Sequence, residues 1–177
     1  KNIYNKKIKN EKIKIAFFSE FLPLNHSVTR DRSGIIRNLS RDIFDIFIIA
    51  FKNVDKKEND LVKEMWDSIP EKNRIILKTN DIKNSQIRIS ELELDILIFC
   101  EIGMSTNSYF LSFSKLAPIQ CNTWGHSDTS GIDTIDYYIS SKLYEIDEEK
   151  AKKNYSESLI LTDHLCTYYY DPIYYNY

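Results

Sequence analysis

The chain has 177 residues, a formal net charge of −2, 42% hydrophobic residues and 28% charged residues. This length holds about one domain with a real core, and the balance of apolar and charged residues excludes a disordered chain. Near-neutral charge gives no general reason to bind nucleic acid or an anionic membrane, and the longest apolar run, Ile46 to Phe51, is far too short to span a bilayer.

Residues 1 to 11, dominated by Lys and Asn, read as a solvated lead-in or linker end. "KIKIAFFS" (12–19) is apolar and β-prone, a first strand. The loop "EFLPLNHSVTRDRSG" (20–34) carries Pro23, and a helix is expected from about Asp31 to Leu39, with Ile35, Ile36 and Leu39 at helical spacing. A second strand, "DIFDIFIIAF" (42–51), precedes an amphipathic helix, "KENDLVKEMWDSI" (57–69), in which Leu61, Met65 and Ile69 recur every fourth residue. "RIILK" (74–78) is a third strand, "DIKNSQIRISEL" (81–92) a helix and "LDILIFC" (94–100) a fourth strand.

After Gly103, "STNSYFLSFSKL" (105–116) is helical with Ser105 or Thr106 as N-cap. Strands follow at "PIQCNTWG" (118–125) and "TIDYYIS" (134–140). "LYEIDEEKAKKNY" (143–155) has acidic residues first and lysines last, which suits a helix dipole. "SLILT" (158–162) is a last strand. This alternation predicts an α/β fold, a Rossmann-like, mostly parallel sheet with helices on both faces. In such folds ligands collect beyond the C-terminal strand ends, which here means loops 20–30, 101–105 and 124–133.

Three cysteines, Cys100, Cys121 and Cys166, are odd in number and widely spaced, which excludes a disulfide framework and a zinc knuckle. Cys100 and Cys121 fall in apolar runs, as buried reduced thiols do, so a reducing, cytoplasmic location is expected. No Ser-His-Asp arrangement and no metal-ligand cluster stands out. Nor does a glycine-rich cradle follow the first strand, since "SEFLPLNHS" has no Gly, so a dinucleotide fingerprint and a P-loop are both absent.

His26, between Asn25 and Ser27, is either a surface loop histidine or an imidazole placed to accept a proton from a hydroxyl or donate to a phosphate. Arg30 and Arg32 can pair with an anion, though exposed arginines are ordinary. Glu101 ends the fourth strand, placed to act or to cap the next helix. His126 and Asp128, between Gly125 and Gly131, form either a long polar turn or one wall of a cleft. His164 and the run Tyr168-Tyr169-Tyr170 suit packing under a crossing chain better than sugar stacking.

The stretch Ala117-Pro118-Ile119-Gln120, Gly125-His126-Ser127, Thr129-Ser130-Gly131 and Ile135-Asp136-Tyr137 resembles the signature of one glycosyltransferase family. That family contains protein O-GlcNAc transferase, the SPINDLY proteins and the bacterial cytosolic N-glycosyltransferases. "DILIFCEIGMSTNSYFLSFSKLAPIQ" (95–120) is similar to its strand, turn and Tyr-Phe-Leu helix, with Glu101 where Asp is common. "NYSESLILT" (154–162) is similar to its Tyr-Ser-Glu-x-Leu segment, and "KIKIAFFSEFLPLNHSVTR" (12–30) resembles its opening strand and His-bearing loop. Two features depart from the pattern: Ser127 stands where Pro is usual, and "LTDHLCTYYYDP" replaces a Pro-rich passage.

The resemblance implies one lobe of a GT-B glycosyltransferase, residues 12–162 forming the N-terminal lobe of the catalytic region and 163–177 starting the connection to a C-terminal lobe. It implies an inverting enzyme that moves GlcNAc from UDP-GlcNAc to Ser/Thr of a protein or peptide acceptor, with no metal and no cofactor beyond the UDP-sugar donor. His26 would be the catalytic residue, and Asn25, Ser27, Gly125, His126, Thr129, Ser130 and Gly131 would line the donor cleft. The uracil pocket, phosphate-binding turn and a lysine would come from the second lobe, so the fragment alone should be inactive. Two other readings are a non-catalytic lobe that binds a protein or peptide, and the same enzyme type using UDP-glucose or GDP-fucose.

Overall fold

The computed structural model describes residues 11–79, 81–145 and 147–171. The lead-in expected at 1–11 lies outside them except for Glu11, and so does the 172–177 part of the C-terminal segment.

Seven strands form one parallel sheet: β1 (Ile13–Phe18), β2 (Phe44–Ala50), β3 (Arg74–Ile76), β4 (Ile96–Phe99), β5 (Ile119–Thr123), β6 (Tyr137–Ser141) and β7 (Ser158–Thr162). Their spatial order is β3-β2-β1-β4-β5-β6-β7. The helices are α1 (Ser27–Asn38), α2 (Asp60–Asp67), α3 (Ile82–Glu91), α4 (Thr106–Ser112) and the short α5 (Glu148–Ala151).

The pleat sends alternate residues of each strand to opposite faces, and both faces are apolar. Ile15 and Phe17 join Ile46, Ile48 and Ile98 in a core with Val28 and Ile36 of α1 and Met65 and Trp66 of α2. Ala16 and Phe18 join Phe47, Ile49, Leu97 and Phe99 in a second core with Ile89 of α3 and Leu111 of α4. Burying one such Ile or Phe contributes roughly 1.5–3 kcal/mol, and Phe18 packs edge-on against Phe99 with ring centroids 5.5 Å apart. The expected α/β, Rossmann-like, parallel architecture is therefore the architecture found.

Three expectations shift. The first helix begins at Ser27 rather than near Asp31, because His26 caps it. The helix expected over 105–116 ends at Ser112, ahead of the turn that leads to Pro118. The helix expected over 143–155 shrinks to α5 and one 3-10 turn, Lys152–Asn154. There the backbone N–H groups of Tyr144 and Glu145 both turn back to Ser141 O, and the Tyr155 hydroxyl donates to Glu145 at 2.5 Å, so the segment folds as a turn.

Candidate functional site

Strand order reverses beside β1, which has β2 on one side and β4 on the other. The loops leaving β1 and β4 therefore diverge, opening the crevice where parallel α/β sheets bind ligands. Side chains tie the loops together. The Glu20 carboxylate accepts from Asn107 Nδ2 at 2.8 Å and from the Ser105 hydroxyl. Ser105 in turn caps α4, accepting from the N–H groups of Asn107 and Ser108 at 3.2 and 3.3 Å. Glu101 does not make the cap that its position suggested.

His26 is the N-cap of α1 and its ring is partly exposed. Its Nδ1 accepts the Val28 N–H at 3.2 Å, and the ring stacks on Phe21 with centroids 4.2 Å apart. Burial, then the nearby Arg30 charge, lower its pKa from the usual value, with Asp31 acting weakly in the other direction. The ring is thus neutral at pH 7, and an Nδ1 that accepts leaves the proton on Nε2. His26 is in this form a hydrogen-bond donor.

Neighbouring Asn25 is exposed and braced, its Oδ1 accepting from Arg30 Nε and Nη2 at 3.3 and 3.0 Å and its N–H donating to Glu58 at 3.0 Å. Ser27 is exposed and opens α1, its hydroxyl 3.5 Å from His26 Nδ1.

The loop after β5 lies against the β4 loop. A Cβ on Gly125 would fall inside contact distance of Cys100 O and the Glu101 Cβ, so only glycine allows this approach. The His126 ring lies over Gly103, 3.6 Å from where a Cβ would stand, and its carbonyl accepts from the buried Tyr138 hydroxyl at 2.7 Å. His126 Nδ1 accepts the Asp128 N–H at 3.4 Å, the same two-residue loop that His26 makes. Both imidazoles are tethered through Nδ1.

Thr129 and Ser130 do not offer their hydroxyls to the crevice. Both donate to Glu157, Thr129 Oγ1 at 2.6 Å and Ser130 Oγ closer still, and the Ser130 N–H adds a bond at 2.9 Å. Burial works against the charged form of Glu157, but these donors outweigh it and hold the carboxyl below the usual range. Gly131 completes the turn with a left-handed backbone, φ +66°, which favours glycine. Glu157 is the residue that sequence reasoning missed; it was visible only as part of the Tyr-Ser-Glu segment, 28 and 27 residues from its partners Thr129 and Ser130.

Glu101 is 0% exposed, and neither carboxyl oxygen makes a hydrogen bond of normal geometry among the described residues. Burial pushes its pKa up to about 8, while the Ser19 hydroxyl and the Glu20 backbone compensate weakly. At neutral pH it is a protonated carboxyl sealed beneath Gly125.

Other candidates lie elsewhere. Arg32, on α1, is buried, with one nitrogen donating to Cys166 O at 2.5 Å. His164 is exposed, and its carbonyl accepts from Ser141 Oγ at 2.8 Å. The tyrosine run packs along α1: the Tyr168 N–H donates to Asp31 O at 3.1 Å, and Arg37 covers the Tyr170 ring. Cys100, Cys121 and Cys166 are buried and unpaired. Among the described residues no group of three or more His, Cys, Asp and Glu could hold a metal ion, and no helix is long and apolar enough to cross a membrane.

No protein-family model and no curated protein sequence matches the chain. Among the solved structures that do match is a mutant of the Thermobaculum terrenum O-GlcNAc transferase, with a TM-score of 0.73 over 89% of this chain at 15% identity. The chain spans 29% of that protein's length. At this identity the likeness establishes a shared fold: the chain has the Rossmann-like architecture of one part of a glycosyltransferase.

Proposed function

We propose that the chain is the N-terminal lobe of an inverting glycosyltransferase of GT-B type, residues 12–162, with 163–177 leading toward a C-terminal lobe. It would work in the cytoplasm, a setting that suits three unpaired buried thiols. The intact enzyme transfers GlcNAc from UDP-GlcNAc to Ser or Thr of a protein acceptor and needs no metal. One observation carries the reading: two imidazoles, His26 and His126, sit on the loops beyond β1 and β5, each with Nδ1 beside the backbone N–H two residues on, and His26 keeps its Nε2–H as a donor.

In the reaction the acceptor oxygen attacks the anomeric carbon from the face opposite UDP. The carbon–oxygen bond to the β-phosphate breaks, UDP leaves with the electron pair, and the proton of the acceptor hydroxyl passes to the departing diphosphate. Charge develops on the diphosphate, where fixed hydrogen-bond donors lower the barrier. A neutral His26 donating through Nε2 suits that role better than the role of base, because in this tautomer its other nitrogen is occupied. The turn from Gly125 to Gly131, held by Glu157, supports the same wall. Half a cleft cannot orient donor and acceptor, and orientation supplies much of the rate, so the 177-residue chain alone should not turn over.

The test uses the longer natural chain with UDP-GlcNAc and a peptide substrate. His26→Ala should lose most transfer, and also about 1 kcal/mol of stability from the lost cap. His26→Asn restores the cap without the imidazole, so it should fold like wild type and stay as impaired as His26→Ala. Normal transfer by His26→Asn would end the assigned role. A natural reading frame that stops at Tyr177 would favour the lobe as a non-catalytic protein-binding module.

A further inference from the structure

β7 ends the sheet, and among the described residues no strand pairs with its outer side. Its parallel pairing with β6 fixes which groups face outward. Ser158 N donates to Asp136 O at 2.9 Å and Thr162 O accepts from Lys142 N at 3.0 Å, so these two residues turn their backbone polar groups toward β6. Alternation along the strand gives Ile160 the same direction and sends the N–H and C=O of Leu159 and Leu161 out of the sheet. Among the described residues nothing bonds to those outward groups.

Natural sheets blunt such edges with charge, proline, bulges or very short strands. The opposite edge does so: β3 has three residues, and its Arg74 donates to Ile69 O at 2.7 Å and pairs with Asp67. β7 has five, Ser-Leu-Ile-Leu-Thr, with no charge and no proline; none is buried, and Ile160 is 41% exposed. An open apolar edge with free backbone groups takes up another strand.

This edge is its own complement. Laid antiparallel on a second copy, with Ile160 at the two-fold axis, Leu159 faces Leu161 of the second copy. Both carry outward polar groups, so the two exchange both backbone bonds as a hydrogen-bonded pair. Ile160 then faces Ile160 of the second copy as a non-hydrogen-bonded pair, which suits polar groups already held by β6. All these cross-strand pairs are apolar, which favours pairing. The flanks do not oppose it. Asp163 comes opposite Glu157 of the second copy, but Lys142 lies 2.6 Å from Asp163, and Glu157 is 5% exposed and bonded to Ser130.

We propose that two copies of this chain associate through β7, pairing antiparallel about an axis at Ile160 so that one sheet runs through both. The axis uses up the open edge and closes the assembly at two chains. An interface built on five-residue strands is small, below about 1,200 Å² in total, so the dimer should be reversible, with a dissociation constant on the order of 10 μM. Glu157 immediately precedes β7, so pairing also steadies the turn bearing Thr129 and Ser130.

The test is sedimentation equilibrium of the 177-residue chain at roughly 1 to 500 μM, a range that brackets that constant. The mass should rise from one chain to two and stop there. Leu161→Pro removes an outward N–H and leaves the bonds to β6 intact, so it should weaken the dimer about tenfold or more. Ile160→Cys places two thiols across the axis, where opposed Cα atoms lie about 4.5 Å apart, within disulfide reach. A mild oxidant should therefore link that variant into a covalent dimer, while Ser158→Cys, off the axis, should stay unlinked. The native thiols are buried and do not compete. A single-chain mass throughout the range overturns the proposal, and so does a dimer that Leu161→Pro leaves as tight as wild type. Failure of Ile160→Cys to cross-link overturns it as well, and that result decides alone if Leu161→Pro does not fold.

Discussion

Glu101 is the residue whose chemistry departs furthest from expectation for a charged side chain. A carboxyl with an ordinary value of 4.5 that titrates at about 8 in the folded protein prefers its proton there. The unfolded chain releases that proton earlier, so its contribution to stability is full below about pH 4.5 and is lost as pH rises through about 8. Glu157, held low, works in the opposite direction: its contribution is present above its ordinary value and lost only as pH falls through the folded one. His26, lowered by burial, gains stability as pH rises through the histidine range, which would mask part of the trend. Comparing wild type with Glu101→Gln cancels the other groups. Urea unfolding at pH 5 and pH 8.5 should show wild type losing on the order of a few kcal/mol relative to the variant across that interval. Equal pH dependence in the two proteins would show that Glu101 is not a buried acid. Nothing local in "FCEIG" foretells this, since burial of Glu101 arises from the approach of Gly125.

At the scale of elements, the loop after β5 is a clamp with two jaws. Gly125 lies against the backbone of Cys100, and the turn beyond it hangs from Glu157. Gly125→Ala must push a Cβ into a carbonyl held in the sheet, and the cost should be about 2 kcal/mol or more. Glu157→Ala leaves the core alone but frees two hydroxyls and an N–H, so it should loosen the turn while costing about 1–2 kcal/mol. The checks are thermal denaturation and the NMR shifts of residues 125–131, which should move in both variants. Unchanged shifts in Glu157→Ala would mean that the turn holds itself.

Most elements were legible because strands here are continuous apolar runs and α2 and α3 are amphipathic. The start of α1 was not, because histidine is an unusual cap and its role depends on the Val28 N–H turning toward the ring. The helix expected at 143–155 failed because charge order fits a helix dipole, while Tyr155 and Ser141 hold that segment as a turn by contacts that charge order does not encode. The Gln and Asp of the quoted stretch proved to be braces. Gln120 accepts the Leu116 N–H and donates to Thr134 O, and Asp136 accepts the Gln120 N–H and pairs with Lys115. A motif match marks such positions without saying whether they hold a ligand or the loop that meets it.

Taken whole, the molecule is two unequal halves on one sheet. From β3 to β4 both faces are covered by α1 to α4, and the strands supply most of both cores. Beyond β5, among the described residues, only the four-residue α5 and the 3-10 turn Lys152–Asn154 intervene, and no residue of β7 belongs to either core. Backbone bonds with little apolar cover open at low free energy. Native-state hydrogen exchange should therefore show Ala16 and Leu97 opening only with global unfolding, while Ile139 and Ile160 exchange through smaller, local openings. Glu157 sits just before β7, so each such opening would also release the turn that carries Thr129 and Ser130. Binding that covers the β6–β7 half should then slow exchange there and order the 125–131 turn together. If Ile160 proves as protected as Ala16, the two halves form a single cooperative unit and the turn is rigid without any added cover.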